Sequence, residues 1–170
     1  HAGANNESKV NVKWIHSESI NDDNVDKKLS KLDGILVAPG FGERGIEGKI
    51  STTKYARENK IPFLGICLGM QCAVIEFGRN VLGFKDAHST EMLPETTNPV
   101  IYLMEDQRDI SNKGGTMRLG TYPCQIIKDT NAYTAYNTDS ISERHRHRYE
   151  FNNKYTSKYK EAGMIATGIN

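Results

Sequence analysis

Two short apolar runs, "GILVAP" at residues 34–39 and "PFLGI" at residues 62–66, stand on either side of a segment with helical periodicity. Runs that are continuous rather than alternating mark strands covered on both faces. The segment between them, "GIEGKISTTKYARENK" at residues 45–60, places Ile46, Ile50, Lys54 and Tyr55 at helical spacing and ends in a tail rich in Lys and Arg. A strand, a helix and a second strand in this order predict a β-α-β unit with parallel strands.

The alternation continues along the chain. Residues 10–15 ("VNVKWI") alternate apolar and polar side chains, as a half-buried or edge strand would. "LGMQCAVIEFGRN" (68–80) reads as a buried helix closing near Gly78, and "NPVIYLM" (98–104) and "YPCQII" (122–127) read as strands. "NNKYTSKYKEAG" (152–163) reads as a solvated helix capped by Gly163, followed by a strand at "MIAT" (164–167). The expected fold is therefore one α/β domain built on an open, mostly parallel sheet flanked by helices. A chain of 170 residues can bury one sizeable core, and no repeat or low-complexity linker divides it.

Within this frame Cys67 occupies a demanding place. In "PFLGICLGMQ" it follows a buried strand, precedes a helix, and has Gly65 and Gly69 two residues away on either side. That is the form of a nucleophile elbow with cysteine in place of serine, where larger residues at the glycine positions would collide with the neighbouring strand and helix. A helix N-terminus favours the thiolate, and the Leu68 N–H would point toward a developing oxyanion. The alternative is that Cys67 is only a small buried hydrophobe, the commonest fate of a free cysteine. Cys72 and Cys124 lack the elbow context and read as core. Three cysteines without CxxC spacing fit a reducing compartment, so a cytoplasmic location is expected.

"APGFGERG" (38–45) follows the first of the two apolar strands, at the sheet edge where open α/β sheets hold ligands. An ordinary flexible βα turn and a phosphate cradle are the alternative readings, although its spacing matches neither a P-loop nor a dinucleotide fingerprint. If the two apolar strands are neighbours, the Gly40 N–H becomes a second oxyanion donor.

"ERHRHRYE" (143–150) alternates Arg144, Arg146 and Arg148 with His145, His147 and Tyr149, so a strand would put the arginines on one face and the rings on the other. A solvated edge, a nucleic-acid contact and a metal-binding histidine pair all compete for this segment. With 22 basic and 21 acidic residues, and no other basic cluster, nucleic acid is disfavoured. No third or fourth ligand is evident nearby, so no metal is expected. No apolar run is long enough to span a membrane, and no signal peptide pattern is present.

Taken in order, "PGFGERG", "GICLGMQ", "HSTE", "GGTMRLG" and "ERHRHRYE" resemble the glutamine amidotransferase domains of the CTP synthases, over nearly the whole chain. The elbow alone would indicate only the wider class I (triad) amidotransferases. "GGTMRLG" and "RHRHRYE" narrow the match.

The resemblance implies hydrolysis of L-glutamine to glutamate and ammonia, with the ammonia passed to an amidoligase domain of the same polypeptide that uses ATP and Mg2+ to aminate UTP to CTP. It implies GTP as an activator, a homotetrameric parent enzyme, and no cofactor in this domain. Cys67 matches the nucleophile that forms a glutamyl thioester, and Gly40 and Leu68 match the oxyanion donors. Leu68, Gly69, Met70 and Gln71 match the stretch lining the glutamine pocket, together with Gly40. Glu91 matches the carboxylate that receives the substrate amino group, and Arg148 the basic residue that holds the substrate. Arg118, within "GGTMRLG", falls in the region associated with GTP activation. The acid and base suit a substrate carrying both a cation and an anion at its α-carbon.

The sequence also departs from the family. None of His1, His16, His88, His145 or His147 is followed by Pro-Glu, so the "HPE" motif that completes the Cys-His-Glu triad is not matched. The family begins this domain with a strand and most of a helix ahead of His1, and "EDQRDISNKGGT" (105–116) is shorter than the family's loop at that point. The expectation is a domain, 1–170, incomplete at both ends, lacking the amidoligase domain, and inactive by itself without a base for the thiol. Two rivals are an elbow-cysteine hydrolase of the DJ-1/PfpI-like type and a non-catalytic assembly module.

Overall fold

A computed structural model describes residues 1–103 and 118–170. It begins with two short helices, α1 (Ala2–Asn5) and α2 (Val25–Leu29). Between them residues 10–15 form no strand, against the alternation of their side chains. Val10, Val12 and Trp14 all stand exposed, Trp14 by 88%. An alternating pattern specifies a strand only where a partner completes its ladder, and among the described residues nothing pairs with this segment. Ile15 alone from this stretch packs against a core cluster, that of Leu29, Ile35, Val37 and Ala56.

The β-α-β unit forms where the apolar runs place it, but Leu36 and Leu64 stand 59% and 57% exposed, so its strands are covered on one face and not on both. Strand β1 (Ile35–Val37) leads through a loop into α3 (Ile46–Glu58) and back to β2 (Phe63–Gly65). The two strands pair in parallel, with Val37 opposite Gly65, so both chains leave the sheet at the same edge. From that edge α4 (Leu68–Asn80) departs directly.

Helix α4 is the spine of the main core. Its Leu68, Cys72, Val74, Ile75 and Phe77 cluster with Ile46, Ile50, Val100, Ile101 and Tyr159. It runs past Gly78, where the sequence pattern places its end, because that glycine is a packing position rather than a cap. A Cβ there would lie 2.6 Å from the hydroxyl of Tyr159, which donates to the Val74 carbonyl at 2.7 Å. A buried ion pair joins α4 to α3: the Glu76 side chain, 1% exposed, accepts from Arg57 Nη2 at 2.8 Å and from Nε at 3.1 Å.

Beyond α4, β3 (His88–Ser89) pairs in parallel with β4 (Pro99–Leu103). Strand β5 (Arg118–Ile126) is followed by α5 (Asn131–Tyr136), β6 (Ser140–His147) and β7 (Tyr149–Phe151). Strand β7 joins β4 antiparallel, whereas β6 lies antiparallel on β5. The α/β class holds, with parallel pairing around the elbow and antiparallel ladders further along the chain.

Helix α6 (Thr156–Glu161) is solvated except at Tyr159, 2% exposed. It closes on Gly163 (φ +103) in a Schellman arrangement, the Gly163 N–H reaching Lys160 O and the Met164 N–H reaching Tyr159 O. This cap is why residues 164–167 are not a strand: Met164 turns back onto the core, and the ladder to β5 begins only at β8 (Gly168–Ile169). The shortened loop at residues 105–116 and the first four residues of "GGTMRLG" lie outside the described residues.

Candidate active site

Cys67 sits between β2 and α4 as the residue capping the helix, with φ +55 and ψ −108. That is a conformation non-glycine residues rarely adopt, as expected of a nucleophile on a sharp strand-to-helix turn. The flanking glycines are steric necessities. A Cβ on Gly65 would come within 2.6 Å of the Gly69 backbone, and one on Gly69 within 2.2 Å of the Val37 carbonyl oxygen. As the first helical residue, Leu68 carries an N–H that the helix cannot satisfy.

A cavity of about 150 Å³ opens beside Cys67. It is lined by Gly40 and Phe41 from the loop after β1, by Leu68 and Gln71 from α4, and by Glu91. His147, Arg148 and Tyr149 complete the wall. Six residues marked in the sequence thus converge: Gly40, Cys67, Leu68, Gln71, Glu91 and Arg148. Gly69 and Met70 lie outside the lining. Gly69 packs against β1, and Met70 is exposed.

Glu91 is held by the turn after β3, where its N–H donates to Ser89 Oγ at 3.2 Å. That turn is fixed from α4, since Arg79 donates Nε to the Ala87 carbonyl at 2.9 Å and Nη1 to Glu47 at 2.9 Å. Burial pushes the Glu91 carboxyl above its usual range while the positive charge of Arg148 pulls the other way. The two therefore sense each other across the cavity. His88, on β3 just before that turn, is pushed down by burial and by Arg79.

Arg148 is a bend between β6 and β7. Along β6 the expected alternation appears, with Arg144 and Arg146 exposed and His145 and His147 half-buried. The bend then takes Arg148 off the arginine face and brings it to the cavity together with its neighbours. This is why His147 and Tyr149 are wall residues that alternation could not reveal, since it assigns them to the face opposite Arg148. Phe41 carried no signal beyond its place in the glycine-rich loop.

Gln71, 6% exposed, donates Nε2 to the Tyr149 carbonyl at 3.1 Å, and its Oε1 is buried without a partner at the cavity. A buried acceptor left open is an invitation to a donor from a ligand. Arg118 stands behind this wall. It is paired with Glu150 at 3.0 Å, lies 4.2 Å over the Tyr122 ring, and is opposite His147 in the β5–β6 ladder. Cys72 is core, fully buried, its thiol pushed up to about 12 by burial. Among the described residues no group of three or more His, Cys, Asp or Glu is placed to hold a metal ion, and no helix is long and apolar enough to cross a membrane.

Chemically, the cavity offers a thiol on a strained turn, an unsatisfied N–H beside it, one acid, one base and a buried acceptor. A family model described as "Glutamine amidotransferase class-I" matches residues 1–170. The CTP synthase of Cytophaga hutchinsonii is 64% identical over 170 residues, which is 100% of this chain and 32% of that protein. The CTP synthase of Christiangramia forsetii is 63% identical, again over 100% of this chain and 31% of the relative. The chain thus spans about a third of the length of these relatives. A solved structure described as "Trypanosoma brucei CTPS - glutaminase domain with bound acivicin" superposes with a TM-score of 0.91 at 37% identity, covering 98% of this chain and 64% of that one.

Proposed function

The chain belongs to the class-I glutamine amidotransferases, and from that premise we propose that it is the glutaminase domain of a CTP synthase, releasing ammonia from L-glutamine for the amination of UTP. The observation that carries this reading is that the Cys67 elbow and the Glu91/Arg148 pair share one cavity. A nucleophile together with one acid and one base suits a free α-amino acid whose side chain carries the reacting group.

In this mechanism Arg148 receives the α-carboxylate of glutamine and Glu91 its ammonium. Gln71 Oε1 accepts a hydrogen bond from the substrate. Cys67 Sγ attacks the side-chain amide carbon, and the carbonyl oxygen takes up negative charge between the N–H groups of Leu68 and Gly40. Collapse breaks the C–N bond, and the leaving nitrogen departs as ammonia once it has gained a proton. Water then hydrolyses the thioester to glutamate and restores the thiol. The proton transfers belong to the family's triad histidine and its glutamate, which no histidine of this chain matches in sequence.

The ATP, Mg2+ and UTP of the complete reaction belong to the amidoligase domain of the same polypeptide, with GTP as activator and a homotetramer as the assembly. Three free thiols, at Cys67, Cys72 and Cys124, support a cytoplasmic setting. In the intact protein, Cys67→Ala should abolish glutamine-dependent CTP formation and leave formation from added ammonium intact. Unchanged glutamine-dependent activity would instead make the domain a non-catalytic module.

A further inference from the structure

Arg148 occupies a single-residue bend between strands of two different sheets, β6 on β5 and β7 on β4. At such a junction no ladder fixes the backbone, so its course depends on what ties the neighbouring residues. Two ties and one close contact are present. Arg118 on β5 sends Nη1 across to both oxygens of the Glu150 carboxylate on β7, at 3.0 and 3.1 Å. His147 on β6 brings Nδ1 to 3.3 Å from the same Oε1 of Glu150 without a hydrogen bond, while its Nε2 lies 3.0 Å from His145 Nδ1. On the far side Gln71 holds the Tyr149 carbonyl.

The Arg118, His147 and Glu150 side chains are only 14%, 23% and 20% exposed. Charge-assisted contacts withdrawn from bulk water are stronger and more directional than surface ion pairs. Glu150 is not itself in the cavity wall, whereas the three residues immediately before it are. It lies against a side chain from each of the two strands that precede the bend.

We propose that Glu150 is a positioning residue for glutamine binding: its carboxylate, gripped by Arg118 and set against His147, fixes the bend so that Arg148 presents its guanidinium to the substrate α-carboxylate. This rests on the reading of the cavity as a glutamine site. A purely structural ion pair would lower the melting temperature and impair every reaction of the domain alike. A positioning residue affects only ligands that use Arg148.

The test compares Glu150→Gln, Glu150→Asp and Arg148→Ala in the full-length protein, using the KM for glutamine and two thiol reagents. Acivicin carries an α-amino acid group, and iodoacetamide does not. Glu150→Gln should raise KM and slow acivicin capture by about tenfold or more, the scale on which small misplacements act. The kcat and the iodoacetamide rate should stay as in the unaltered protein, and Glu150→Asp should recover part of the loss. A Glu150→Gln protein with unaltered KM and acivicin rate overturns the proposal, as does an equal loss with both reagents. Should Glu150→Gln fail to fold, Arg118→Lys loosens the same grip from the other strand and must give the same rise in KM with the iodoacetamide rate unchanged. Arg148→Ala separates the two levels. If it leaves KM unaltered, the glutamine-site reading fails. If it raises KM while Glu150→Gln does not, only the positioning role fails.

Discussion

The α-carbon of Gly69 lies so close to the Val37 carbonyl that a Cβ placed on it would sit 2.2 Å from the oxygen. One contact thus locks the first turn of α4 onto the end of β1, and with it the spacing between Cys67 and the loop that carries Gly40.

Gly69→Ala is therefore expected to force the helix start away from the strand. Stability should fall by about 1–3 kcal/mol, as for other overpacked sites. Glutamine-dependent activity should fall by about 100-fold, since catalytic geometry tolerates little displacement. Thermal melting and glutaminase assays measure the two effects. Full activity in Gly69→Ala would mean that the elbow does not depend on this contact.

Arg57 and Glu76 tie α3 to α4 away from the cavity. Glu76 is buried, but Arg57 reaches solvent with 34% of its side chain exposed, so the pair is weaker than a fully desolvated one. Glu76→Ala leaves Arg57 and the Asn80 amide, 3.1 Å from Glu76, without their shared acceptor. The expected loss is about 2 kcal/mol, below the 3–5 kcal/mol of a wholly buried pair. Denaturant unfolding should give this loss, with the KM for glutamine unchanged.

Glu91 should give binding an acid limb. Burial holds its carboxyl above the ordinary value of 4.5 against the pull of Arg148. As pH falls it takes up a proton before an exposed carboxylate would, and the substrate ammonium loses its counter-charge. KM should therefore begin to rise at a pH above 4.5. The sign for stability is opposite: a raised carboxyl favours the folded state increasingly as pH falls through it. Glu91→Gln should show a high KM with a flat acid limb, measured as acivicin capture against pH.

Asp86 works in the reverse sense. Its carboxylate accepts from the Thr97 hydroxyl at 2.7 Å, the Asn98 amide at 2.6 Å and the Thr97 N–H at 2.6 Å, which hold it well below the usual range. The stability it contributes is complete above its ordinary value of 3.8 and is lost as pH falls through the depressed one. Asp86→Asn should melt lower than the unaltered chain at pH 7, and the gap should narrow below pH 3.8.

Much of the site was legible because tight turns and short apolar runs leave strong local signals. The elbow glycines, the β-α-β unit and the start of α4 all follow from residue types at fixed spacing. Residues 10–15 and 164–167 misled for different reasons: the first segment meets no partner strand among the described residues, and the second follows directly on a helix cap. Glu91 and Arg148 have no local signature of their own and became visible only through their resemblance to a family. His147 and Tyr149 stayed hidden because one bend reverses the face that alternation assigns to them.

The central claim is that Cys67 is the nucleophile of a glutamine pocket. The most direct measurement is to treat the full-length protein with acivicin and locate the adduct by mass spectrometry, with and without excess L-glutamine. The account predicts one adduct, on Cys67, which glutamine suppresses. An adduct on Cys72 or Cys124, or none at all, would contradict it.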